Sequence, residues 1–103
     1  MTLAAPIAYK DQILTVTDSL AETLEELGVD NDDLKIADYL QISVNAGNNG
    51  IHFFMGGGTP TAAEGHLILL GADRLISGRV NIRNLKVISR TGSATISITL
   101  SRI

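Results

Sequence analysis

From Tyr39 onward the chain alternates apolar and polar residues. Leu40, Ile42 and Val44 interleave with Gln41, Ser43 and Asn45, the pattern of a strand with one face in a core and the other in water. "AGNNG" follows, and Asn49-Gly50 predicts a hairpin turn, because both residues tolerate positive φ. The returning strand "IHFFM" would place Ile51, Phe53 and Met55 on one face and His52 and Phe54 on the other, where His52 reads as surface or interface. Further short strands are expected in "HLILL", "RLIS", "VNIRNLKVIS" and "ATISITLSRI", punctuated by Gly71, Gly78 and Thr91-Gly92-Ser93. In the last of them Ile96, Ile98 and Leu100 oppose Thr95, Ser97 and Thr99, a polar face suited to water or to a neighbouring chain. That strand is expected beside the N-terminal one or at another subunit's sheet edge.

The N-terminal part reads differently. Residues 5 to 17, "APIAYKDQILTVT", predict a first strand or strand pair, stopped by Asp18. Ser19 and Glu22 stand at capping-box spacing, Leu20, Leu24 and Leu27 share one helical face, and Gly28 supplies a stop. One short helix is therefore expected near residues 19–27. The fold class that results is all-β: a compact antiparallel β-sandwich, jelly-roll-like, in a single domain over residues 1–103.

Composition narrows the function classes. Apolar residues are 45% and charged ones 18%, which fits a folded chain, and there is no cysteine to serve as nucleophile, disulfide or zinc ligand. No apolar run is long enough to span a bilayer and the N-terminus lacks a signal pattern, so a soluble protein made in the cytoplasm is expected, with no membrane partner. A net charge of −3 disfavours nucleic acid as a partner. The charge is unevenly spread: residues 1 to 38 carry nine acidic side chains against two basic, a balance of −7, and residues 39 to 103 two against six, +4. The acidic stretch from Glu22 to Asp33 is either a docking feature or a solvated loop.

Candidate chemistry is thin. Asp30, Asp32 and Asp33 suggest a calcium loop, but the sixth and twelfth loop positions are Lys35 and Gln41 where glycine and glutamate are needed. "FFMGGGTPTAAEGH" has the glycines of a phosphate cradle without its lysine, and it leads into a strand. His52, His66 and Glu64 lack metal-ligand spacing, and no Gly-x-Ser-x-Gly elbow accompanies the two histidines. With no Trp, only Phe54 and Tyr39 could stack on a sugar. The expectation is a non-enzyme with no catalytic residues, metal or cofactor. Its glycine loop is a shaped connection between strands.

A further pattern lies in Ile51, Phe53 and Met55, then Gly57, Pro60, Thr61, Gly65 and His66, then Ile82, Arg83 and Asn84 before a final alternating strand. In these residues the segment from Tyr39 to Ile103 resembles the small β-sandwich virion structural proteins of tailed bacteriophages. It departs from them at Gly56, where relatives often carry Asp, and in its acidic segment. The resemblance implies a homo-oligomer, with a trimer favoured, located in the virion. There it would act as a capsid decoration or cement protein bound to the major capsid protein. A neck, tail or fibre-attachment subunit and a carbohydrate-binding module are the alternatives. Tyr39, Phe54, Arg79 and Arg83 are the candidate interface anchors, since aromatics and arginine are enriched at interfaces.

Overall fold

A computed structural model describes residues 6 to 46 and 49 to 103; Ala5, Gly47 and Asn48, which belong to segments discussed above, lie outside the described residues. The elements in order are β1 (Ile7–Val16), β2 (Glu22–Thr23), α1 (Asn31–Lys35), β3 (Tyr39–Ala46), β4 (Ile51–Phe54), β5 (His66–Ile68), β6 (Asp73–Ser77), α2 (Arg79–Asn84), β7 (Lys86–Ser89) and β8 (Ala94–Arg102). First pairs with last and so inward: β1 with β8, β2 with β7, β3 with β6 and β4 with β5, all antiparallel. The chain is thus one long hairpin folded at the glycine loop between β4 and β5. Rolling it up brings β8 against β3 and β7 against β4, which gives two four-stranded sheets ordered β1-β8-β3-β6 and β2-β7-β4-β5. This nesting is the strand order of a jelly roll.

The core lies between the sheets and follows the period-two pattern. Leu40, Ile42 and Val44 of β3 face Ile96, Ile98 and Leu100 of β8 across the ladder, and all six are buried. The second sheet contributes Ile51 and Phe53 from β4, Ile68 from β5 and Val87 from β7. Phe53, 1% exposed, is the largest fully buried side chain. Burying an aromatic of that size stabilises the fold by about 1.5–3 kcal/mol. β8 runs beside β1, as the pattern suggested.

Three expectations are corrected. Residues 19–27 form no helix. Glu22 and Thr23 are drawn into the second sheet opposite Val87 and Lys86, and Leu20 is left exposed. The capping box is real but shifted: the Thr23 N–H donates to Glu26 Oε1 at 2.9 Å and the Glu26 N–H to Thr23 Oγ1 at 3.2 Å. Its stop follows at once. Gly28, at φ 110°, donates to the Glu25 carbonyl while Val29 donates to that of Leu24, both at 3.0 Å. Start and stop signals only five residues apart leave a single capped turn.

Second, the segment taken as the strand "VNIRNLKVIS" begins as α2. Gly78, at φ 97°, turns the chain out of β6, the Ile82 N–H closes on the Gly78 carbonyl at 3.0 Å, and Ile82 and Leu85, three apart, are both buried. The other helix, α1, is capped by Asp30, whose Oδ1 accepts the Asp32 N–H at 2.8 Å. Third, β3 and β4 are not a hairpin, because they belong to opposite sheets. Gly50 lies instead against β5, where a Cβ would stand 2.1 Å from the Ile68 carbonyl oxygen.

Candidate interaction surface

Phe54 ends β4 opposite Lys86, the first residue of β7, so the glycine loop leaves the second sheet at the end where α2 enters it. The loop turns through Gly57 at φ 90°, passes Gly58 against the Phe54 ring, and buries Pro60. A tight turn follows, in which Thr61 and Glu64 exchange backbone bonds of 2.9 and 3.3 Å. Gly65 then approaches β4 so closely that a Cβ would lie 2.9 Å from His52 Cβ. The loop therefore covers His52, which is buried rather than at the surface, and His52 Nδ1 donates to the Thr61 carbonyl at 3.1 Å. The glycines shape a connection: two of them stand in the left-handed region that residues with a Cβ resist, and one makes a close backbone approach.

On the adjoining side, His66 and Arg74 close the sandwich over Phe53. The His66 ring lies 5.3 Å from that of Phe53 and edge-on to Phe54 at 5.6 Å. The Arg74 guanidinium stands 5.8 Å from the Phe53 centroid, and its Nη2 donates to the Leu67 carbonyl at 3.3 Å. Glu64 is in the turn and His66 in β5, and among the described residues no three His, Cys, Asp or Glu side chains are grouped to hold a metal ion.

The four candidate anchors fall in two places. Tyr39 opens β3 on the outer face of the first sheet, half-buried between Ser77 and Ser101. Arg79 opens α2 and Arg83 lies one turn further on, exposed. Phe54 belongs to the second sheet, half-buried under Gly58 and opposite Lys86. Arg79 is held by Asp38, a residue the sequence did not single out. The Asp38 carboxylate accepts the Ile103 backbone N–H and Arg79 Nε, both at 3.0 Å, and these bonds hold it below the usual carboxylate range.

Folding also rearranges the charge. β2 pairs with β7 and α1 packs against α2, so the acidic first third and the basic remainder of the chain meet at the same end of the molecule. Lys10 Nζ stands 3.9 Å from Asp33, and Glu26 is held below its usual range first by its bond from Thr23 and further by the Lys86 charge.

The surface presents two other features. The outer face of the first sheet carries Thr95, Ser97, Thr99 and Ser101 of β8, tied to their neighbours by Thr99 donating to Asp11 at 2.6 Å and by Asn45 donating to Ser97. Gln41 adds a bond to Asp73 at 3.0 Å. Along the β5–β6 side, Leu67, Leu69, Leu70 and Leu75 are exposed. Of "HLILL" only Ile68 is buried, because β5 is a sheet edge and the chain turns away at Gly71, φ 83°. Comparison of the chain with family models, with curated proteins and with solved structures gives no match.

Proposed function

We propose that this chain is a non-enzymatic structural protein that works by assembly, and specifically a decoration or cement protein on the capsid of a tailed bacteriophage. The observation that carries the reading is the row of exposed leucines along the β5–β6 side. Large apolar side chains exposed at neighbouring sheet edges favour protein contact over small-molecule chemistry. The jelly-roll strand order supports the virion setting by fold analogy, since capsid domains use it widely. The resemblance of residues 39–103 to virion β-sandwiches supports it from the sequence side. In this reading the protein oligomerises and bridges neighbouring major capsid subunits. Contacts of roughly 800 Å² per partner, anchored by a few packed side chains, are enough for specific attachment.

The experiment is co-sedimentation of purified protein with capsid shells, coupled to counting copies per particle. Hundreds of copies and protection of the shell against heat are expected. A count of about six or twelve would move the protein to the neck or tail, and no association with shells or virions would overturn the reading.

A further inference from the structure

Two open sheets have four edge strands, and three of these carry features that discourage pairing with another chain. β1 is broken by a register shift between Ala8 and Lys10, β2 is two residues long, and β5 three. β6 has neither a register shift nor so short a run, and its one inward-facing charge, Arg74 opposite Ile42, is held over Phe53. It is five residues long, keeps an unbroken register with β3 from Asp73 to Ser77, contains no proline, and exposes Asp73, Arg74, Leu75 and Ser77. Leu75 is 65% exposed on the outer face of the sheet, and Leu67, Leu69 and Leu70 lie on the same side of the sandwich, 38%, 52% and 51% exposed.

We infer that β6 is an interface strand at which a second copy of this chain pairs edge to edge, across a two-fold axis at Leu75. A free edge offers unpaired backbone N–H and C=O groups, so its partner must itself be a strand. A two-fold axis perpendicular to the sheet makes the new pair antiparallel and sets each residue opposite one that points to the same face. Charge then selects the register. An axis at Asp73 or at Arg74 would place like charges directly opposite each other, which is unfavourable. An axis at Leu75 places that leucine against its own copy and each Asp73 carboxylate opposite a Ser77 hydroxyl, a donor it can accept from. Arg74 then stands beside Ile76. The strand is therefore complementary to itself about Leu75, with no like charges opposed. Leu75 is the apolar side chain that such pairing would bury on the outer face of the first sheet, whereas Leu67 stands on the outer face of the second.

This inference goes beyond the virion reading, and its test needs no capsid. Sedimentation velocity from about 1 to 200 µM, a range that brackets micromolar association, should show a dimer of the 10.9 kDa chain. Leu75→Arg should weaken dimerisation at least about 100-fold while leaving the far-UV spectrum unchanged, because the new charge faces its own copy. The chain has no cysteine. Leu75→Cys should therefore cross-link to itself under mild oxidation, whereas Ile13→Cys, exposed on β1 of the same sheet, should not. The inference is overturned by a monomer throughout the range, by an oligomer indifferent to Leu75→Arg, or by Ile13→Cys cross-linking as readily as Leu75→Cys.

Discussion

Asp38 and Arg79 meet at 3.0 Å, Oδ1 to Nε, at the joint where the exit from α1, the entry to α2 and the end of β8 come together. The aspartate makes three further bonds there. Its other carboxylate oxygen accepts the Ile103 N–H at 3.0 Å, its backbone N–H donates to Ser101 at 2.9 Å, and its carbonyl accepts from Gly78 at 2.9 Å. An exposed ion pair alone contributes little, but this one also orders two backbone segments. Asp38→Ala should lower the thermal midpoint more than Arg79→Ala does, since the arginine change leaves the bond to Ile103 in place. Circular dichroism melts of the two variants make the comparison.

The same carboxylate predicts an acid response. Bonds from Ile103 and then Arg79 hold Asp38 below its ordinary value of 3.8, and bonds from Thr23 hold Glu26 below 4.5. A folded-state value below the unfolded one gives stability that is complete above the ordinary value and lost as pH falls through the depressed one. Stability should therefore be flat from neutrality down to about pH 5 and fall below about pH 4. The fall should be shallower in Asp38→Asn, as followed by urea midpoints across that range.

At the alkaline end Tyr9 behaves in the opposite sense. Burial, then the Asp33 charge, raises its phenol above 10.0, and its hydroxyl donates to the Asp33 carbonyl at 2.6 Å. The stabilisation is present below pH 10 and lost as pH rises through the raised value. Tyr9→Phe should lower stability at neutral pH by about 0.5–1.5 kcal/mol and remove the alkaline loss, measured by the same urea series.

Glycines separate by the space around them. Gly50→Ala drives a Cβ to 2.1 Å from a β5 carbonyl at φ 76°, whereas a Cβ at Gly56 meets nothing within 4 Å. The first should cost more than about 2 kcal/mol and the second lie within about 0.5 kcal/mol of the parent. Chemical denaturation distinguishes them, and equal effects would contradict the packing of β4 on β5.

Adjacent phenylalanines should differ as sharply. Phe53→Ala empties the centre of the core and should cost about 3–5 kcal/mol, a large part of the 5–15 kcal/mol that holds a typical domain together. Phe54→Ala, in a half-buried site under Gly58, should cost well under half as much, read from denaturation midpoints.

What the sequence revealed depended on how far each signal reaches. β3 and β8 were legible because Leu40 to Val44 and Ile96 to Leu100 are long alternations whose burial is decided by the strand itself. The helix expected near 19–27 was misread because Ser19 and Glu22 stand at capping-box spacing ahead of Leu24, Leu27 and Gly28, and only the pairing of Glu22 with Val87, 65 positions on, shows that Glu22 belongs to a strand. Asn49-Gly50 was likewise a sound turn signal, with nothing local to say that the next strand joins the other sheet. His52 alternates as a surface residue would, and it is buried by a loop whose path depends on Gly65. Of the interaction surface, Tyr39, Arg79 and Arg83 could be chosen by residue type. The leucines beside β6 could not, because apolar edge residues and apolar core residues look alike until strand order is known.

Strand nesting also sets a timetable. Asp11 and Thr99 are hydrogen-bonded across 88 positions, so β1 has no partner until β8, that much later in the chain, has left the ribosome. At the usual rates of translation that delay is on the order of 4 to 18 s. Through it Leu14 and Val16 remain uncovered, and β1 is housed only when β8 arrives. Folding should be slow by the standards of a domain of this size and sensitive to whatever holds an unpaired apolar strand in the interval.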